Sequence, residues 1–248
     1  MGCAVARPPA APTPSQPSVL TVLTWNMHGG RGQLRRLLDD LEGGRLTGGA
    51  VRDYVLLLQE FADRGDDSLV GSRTRQLTVF SSPVRSPFGN GIVSTIRLED
   101  TRTIDLPRER QPRGAVAATI RVAAETLFIV STHLENRLGW LNGLFGDRAR
   151  GRQARALLQA LPAGHGVVGG DLNTMLGPDE PAWRELLARF PDTPGHHEPT
   201  FRDRLVLDHL FFDLPDGWRA TRRVVEDRYG SDHQPVVAGI HLPGIDPQ

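Results

Sequence analysis

The chain has 248 residues, 39% apolar and 23% charged, enough for one large domain with a real core. Its 29 basic residues balance its 29 acidic ones, and every basic residue is Arg. A neutral total argues against strong, non-specific nucleic-acid binding through a basic surface, though it leaves room for a local positive cleft.

Residues 1–18 hold Pro8, Pro9, Pro12, Pro14 and Pro17 and are expected to form an extended arm with nothing to bury. Met1 to Arg7 lack the apolar core of a secretory signal, and Ala6 breaks the myristoylation pattern. Gly2-Cys3 before a proline-rich arm resembles a bacterial lipoprotein with its signal trimmed, which would put the chain at the cell envelope. A plain disordered tail is the preferred expectation, with the location left open between cytoplasm and cell envelope. Cys3 is the only cysteine, so no disulfide framework and no thiolate metal site is available. No apolar run is long enough to span a bilayer as a helix.

The folded domain is expected over 19–243, with 244–248 as a short tail. Val19 to Trp25 is β-rich and should be the first strand, ending at Asn26-Met27-His28. Leu34, Leu37, Leu38 and Leu41 recur at helical spacing over 33–41, and Gly43-Gly44 stops the run. Tyr54 to Leu58 is a second buried strand running into Gln59-Glu60. Strands follow at 77–81 and 91–96, and 115–122 with 126–130 form a hairpin that ends in Ser131-Thr132-His133-Leu134-Glu135. A helix over 148–161 presents Ala154, Leu157, Leu158 and Leu161 on one face. The run Val167-Val168-Gly169-Gly170-Asp171-Leu172-Asn173 is a buried strand delivering an acid and an amide, its glycines leaving room for something large to approach. Pro181 starts another helix, 206–212 is a strand through Asp208, and Ser231-Asp232-His233 turns into a last strand over 235–242. Such a series suggests an α/β protein of two packed sheets with helices outside and polar residues gathered at one end of the strands.

The set at those ends is Asn26, Glu60, His133, Asp171, Asn173, Asp208, Asp232 and His233. Any one of them has a bland explanation as a cap, a turn residue or a satisfied structural histidine. Together they narrow the chemistry. No cysteine nucleophile is placed for catalysis, no serine stands beside a base, and no helical zinc or di-iron pattern is present. Carboxylates and amides without thiolates suit a hard cation such as Mg2+, with Mn2+ as a substitute. Histidines beside such a cation suit proton transfer, and the combination fits attack of water on a phosphoester.

Thr24-Trp25-Asn26, Leu58-Gln59-Glu60, Ser131-Thr132-His133-Leu134, Gly170-Asp171-Leu172-Asn173, Leu207-Asp208-His209 and Ser231-Asp232-His233 resemble, in order, the motifs of the endonuclease/exonuclease/phosphatase superfamily. The resemblance covers about 19–242 and implies a deoxyribonuclease I-like, four-layer α/β/β/α sandwich of two mixed sheets. It implies Glu60 as the main metal ligand with Asn26 beside it, and Asp232 at that metal or a second one. It implies Asp171 positioning the attacking water, Asn173 donating to the scissile phosphate, His233 as general base held by Asp208, and His133 donating to a phosphate oxygen. Arg113 and Asn90 are further candidates for the substrate phosphate. Two departures stand out. No carboxylate lies between Asp67 and Glu99 to partner His133, and His28 stands where abasic endonucleases carry an acid.

The expected activity is Mg2+-dependent phosphodiester hydrolysis by a monomer, nucleic acid being favoured over lipid or inositol phosphate as substrate. Arg148, Arg150, Arg152 and Arg155 would supply a nuclease groove, unless they are the solvated face of a helix. Leu138 to Phe145, with Trp140, would suit a sphingomyelinase-like lipid enzyme if exposed, or packs as a helix on the sheet. An inositol-phosphate-type phosphatase remains open. So do a binding module that has lost turnover and a structural domain whose polar strand ends are caps.

Overall fold

A computed structural model describes residues 19–62, 78–82, 88–136, 143–195 and 197–243. The proline-rich arm, the C-terminal tail and residues 138–142 of the Trp140 stretch lie outside the described residues. The strands are β1 (Val19–Asn26), β2 (Tyr54–Phe61), β3 (Thr78–Ser82), β4 (Gly89–Ser94), β5 (Glu99–Asp105), β6 (Gly114–Val122), β7 (Glu125–His133), β8 (Gly166–Asp171), β9 (Asp208–Asp213), β10 (Arg219–Val224) and β11 (Val236–His241). The helices are α1 (Leu34–Glu42), α2 (Gly143–Ala160) and α3 (Pro181–Arg189), with a 3-10 turn at Gly177–Asp179.

Two sheets form: β10-β11-β1-β2-β4-β3 with six strands, and β5-β6-β7-β8-β9 with five. Each has one parallel pair, β1 with β2 and β7 with β8, and antiparallel pairs elsewhere. The sheets pack face to face over Leu20, Val22, Leu57, Ile129, Val167 and Leu210. The opposite faces are covered by α1 on the first sheet and by α2 and α3 on the second, through Leu37, Leu38, Leu157 and Leu186 among others. This is the expected four-layer sandwich.

Strand parity then decides where the polar ends point, because alternate side chains share a face. On β1, Leu20 and Val22 face the other sheet, so Asn26 does too. On β7, Leu127 and Ile129 put His133 on the same inner side; on β8, Val167 does so for Asp171. On β9, Leu210 and Phe212 carry Asp208 with them. The register aligns His133, Asp171 and Asp208 across three neighbouring strands, and Asn26 with Gln59.

Four findings differ from the sequence expectation. β5 and β10 were not evident, since their patterns, Glu-Asp-Thr-Arg-Thr-Ile-Asp and Arg-Ala-Thr-Arg-Arg-Val, expose charge. Both are edge strands, where charge blunts pairing with another chain. α2 begins at Gly143, well before Arg148, and takes up the end of the Trp140 stretch. Finally, Gly169 and Gly170 make room for protein rather than for a ligand. A Cβ on Gly169 would meet Leu57 Cδ1 at 2.6 Å across the sheets, and one on Gly170 would meet the Thr132 carbonyl oxygen at 1.9 Å.

Gly170→Ala therefore forces the β7–β8 backbones apart and should cost about 3 kcal/mol of stability. Denaturant unfolding checks this, and an unchanged midpoint would contradict the close approach.

Candidate active site

Glu60 cannot reach the cleft by parity alone. Val55 and Leu57 face inward, which places Gln59 inward and would turn Glu60 away. A bulge between Gln59 and Phe61 corrects this, with Glu60 in the left-handed region at φ 50°. Asn173 and His28 share that conformation, at φ 53° and φ 50°. Such backbone is sparsely populated by non-glycine residues, and its concentration here is typical of sites that aim side chains.

The Asn26 side-chain amide lies at the centre. Its Nδ2 donates to Asp171 Oδ2 at 2.9 Å and approaches Glu60 Oε1 at 3.4 Å, while its Oδ1 accepts the His28 N–H at 3.0 Å. Glu60 Oε2 accepts the Gly29 N–H at 2.6 Å. Asp171 Oδ1 accepts the Asn173 N–H at 3.0 Å, and Asn173 Nδ2 donates to the Leu134 carbonyl at 3.2 Å.

His233 Nδ1 is 2.7 Å from Asp208 Oδ2, both buried. That contact leaves Nε2 facing the cleft, 3.8 Å from Asp171 Oδ2 and 4.0 Å from Asp232 Oδ1. The ring is braced by Phe201, whose centroid is 4.7 Å away, and the His233 carbonyl accepts the Trp25 indole N–H at 3.1 Å. Burial by itself would lower the His233 pKa, but the charges of Asp208, Asp171 and Asp232 outweigh it and raise it to about 9. Burial raises the Asp171 carboxyl to about 6, with Asp208 adding to the rise and His233 opposing it. His133 is held well below its ordinary value by burial, reinforced by the charges of Arg113 and His233. Its Nε2 lies 3.5 Å from Asp171 Oδ2, so its acidic neighbour comes from β8.

Asp232 sits at the rim rather than in the centre, 3.3 Å from His28 Nδ1 and 3.3 Å from Arg202 Nη2. Arg113 reaches the cleft, within electrostatic range of Asp171, Glu135 and Glu60, and its Nε is buried without a hydrogen-bond partner among the described residues. Asn90 turns its amide to the Gly114 carbonyl at 2.7 Å, tying β4 to β6 next to Arg113. Three of the four arginines of α2 are paired, and only Arg148 is exposed without an ion pair among the described residues, so they do not line a shared groove. Arg150 is buried against Glu180, Arg152 pairs with Glu109, and Arg155 pairs with Glu185.

Sequence reasoning passed over Phe201, the Trp25 indole, and Gln59. Gln59 is buried and donates to Ser131 Oγ at 3.0 Å across the sheets. The one available signal was the position of Gln59 inside an otherwise apolar strand.

Asp171, Asp208 and His233 offer donor atoms within 4.8 Å of one another, close enough for a cation, but His233 Nδ1 and Asp208 are engaged with each other, which leaves Asp171 as the carboxylate open to one. Glu60 adds a carboxylate on the far side of Asp171, bridged to it by Asn26. Oxygen donors predominate, as hard cations require.

A site of this make on a two-sheet sandwich belongs to the phosphoester hydrolases. The chain is a member of the Endonuclease/Exonuclease/phosphatase family, matching it over residues 23–233. No curated protein sequence matches the chain. Among solved structures it resembles D. rerio TDP2 complexed with a single-strand DNA product, at 17% identity and a TM-score of 0.65, covering 91% of this chain and 100% of that one. It also resembles sphingomyelinase C from Streptomyces griseocarneus, at 21% identity and a TM-score of 0.60, over 89% and 99% of the two chains. A third is the mannosyl-6-phosphatase of Bacteroides thetaiotaomicron VPI-5482, at 13% and 0.66, over 90% and 100%. Identities this low establish a shared fold.

Asp208→Asn removes the charge that most favours the His233 imidazolium. In chelator-treated protein, histidine NMR titration should show the His233 pKa falling from above neutrality toward its ordinary value. An unmoved titration would mean that Asp208 does not hold the ring.

Proposed function

We propose that the chain is a Mg2+-dependent phosphodiesterase, its domain spanning residues 19–243. The observation that carries this is the buried Asp208–His233 pair opening onto Asp171, with Glu60 and Asn26 beyond it. Glu60 would be the principal ligand, Asn26 beside it, with Asp232 available from the rim. A bound Mg2+ would supply charge neutralisation at the phosphate and its leaving oxygen.

His233 takes the proton of the attacking water at Nε2 in its neutral form, which a cation beside Glu60 would favour by opposing the imidazolium that the three carboxylates stabilise. Nδ1 donates to Asp208, which fixes the tautomer and supports the imidazolium that forms. Asp171, near both His133 and His233, orients that water. His133, kept neutral by burial, donates an N–H to a phosphate oxygen without adding charge to the cleft. Asn173 and Arg113 supply further donors to the phosphate, the latter through a planar fork suited to two oxygens. Asn90 contributes through the backbone at Gly114.

Nucleic acid is the favoured substrate class. Arg202 stands exposed at the mouth, its guanidinium 4.9 Å from the Phe201 ring, where a polyanion or a base would meet it. A lipid phosphodiester is the second reading. Leu176, 60% exposed, projects just beyond Asn173 and Thr174 on the same rim.

With Mg2+ the chain should hydrolyse a generic phosphodiester, and chelation should abolish turnover. Assays over plasmid DNA, abasic DNA, RNA, sphingomyelin and inositol phosphates assign the class. Metal-independent turnover, or none on any substrate, would sink the proposal. His233→Ala should lower kcat by roughly 10²-fold or more with circular dichroism unchanged, as for loss of a general base. A retained rate would remove His233 from that role.

A further inference from the structure

The loop between β5 and β6 delivers Arg113 to the cleft, and a buried carboxylate outside the proposed chemistry holds it from beneath. Glu135 follows the His133 strand end and is only 2% exposed. Its Oε2 accepts the consecutive backbone N–H groups of Arg110 at 3.0 Å and Gln111 at 3.1 Å. Hydrogen bonds to a charged acceptor are the strong kind. Pro112 comes next, with its fixed φ, so little slack separates that grip from Arg113. On the other flank the Leu106 N–H donates to the Arg113 carbonyl at 3.1 Å.

One turn of α2 anchors the grip. Gln153, fully buried, accepts the Glu135 N–H at 2.8 Å and donates to the Pro107 carbonyl at 3.1 Å. Arg150 Nη1 reaches the Glu135 carbonyl at 3.4 Å, while its other nitrogens close a bidentate pair on Glu180 at 2.6 and 2.8 Å. Arg152 clasps Glu109, on the same loop, at 2.7 Å through two bonds. Burying a carboxylate is costly, and an apolar side chain would fill the space more cheaply. Glu135 Oε1 even lacks a hydrogen-bond partner among the described residues. A residue kept at such a cost suggests a role beyond packing.

The geometry points to Glu135 as a positioning residue that fixes the 110–113 backbone so that the Arg113 guanidinium meets the substrate phosphate, Gln153 and Arg150 holding Glu135 in turn. This rests on the reading of Arg113 as a phosphate contact.

A double-mutant cycle on the full chain, with Mg2+ and bis(p-nitrophenyl) phosphate, tests it. Arg113→Ala should lower kcat/KM by about 10²-fold, as loss of a transition-state donor does. Glu135→Ala should lower it by about 10-fold, and the double variant should match Arg113→Ala to within about twofold, because Glu135 then has nothing to aim. Glu135→Gln keeps an oxygen for the two N–H groups and should recover most of the wild-type rate. Losses that multiply to about 10³-fold would overturn the positioning role, as would a Glu135→Gln variant as impaired as Glu135→Ala. Full activity in Arg113→Ala would instead bring down the phosphate reading of Arg113 and this inference with it. Should Glu135→Ala fail to fold, Gln153→Met, which releases the same loop at Pro107, takes its place with the same expectation.

Discussion

Of the side-chain amides that cross between the two sheets, that of Asn26 joins the two carboxylates of the site. Asn26, at the end of β1, reaches Glu60 on its own sheet and Asp171 on the opposite one. Two carboxylates converging on one cleft repel, and burial adds to the cost of a charge on Asp171. An amide between them offers both hydrogens of one Nδ2 and lowers that cost without adding charge. Its oxygen is meanwhile turned to the His28 N–H, which starts the loop whose Gly29 N–H holds Glu60. Remove the amide and the two halves of the site lose their common reference.

Everything else in the cleft depends on strand ends arriving at one edge. The parallel pairs β1–β2 and β7–β8 bring four C-terminal ends to the same side, and the antiparallel neighbours β9 and β11 begin there. Phosphoester hydrolysis needs donors and a base fixed before the charge develops, and a rigid sandwich does that better than loops. The loops then add the remaining groups around the cleft. Met175-Leu176 follows Asn173, Arg202 and Phe201 brace the His233 turn, and the β5–β6 loop carries Arg113. On the proposed reading, substrate choice belongs to these segments, because loops on a rigid scaffold carry specificity.

Most of the framework could be read from the chain because buried strands are strongly patterned. β1, β2 and β8 are nearly continuous apolar runs, and each ends at a polar residue that the structure places in the cleft. The edge strands could not be read in this way, since their exposed faces carry charge where apolar alternation is the only signal. The helix at Gly143–Ala160 hid its purpose for another reason. Arg150 and Arg152 look like any solvated cations until Glu180 and Glu109, distant in sequence, are brought against them. The bulge at Glu60 was equally silent. Nothing in Leu58-Gln59-Glu60-Phe61 announces a left-handed residue, yet without it the carboxylate would point to the wrong side of the sheet.

Whether a cation belongs beside Glu60 decides the mechanism, and anomalous diffraction from crystals grown with Mn2+ answers it directly. An anomalous peak in contact with the Glu60 carboxylate, clear of the Asp208–His233 hydrogen bond and lost in Glu60→Ala, is the expected result. A peak lodged between Asp208 and His233, or no peak within reach of Glu60, would contradict it and leave His233 a metal ligand rather than a base.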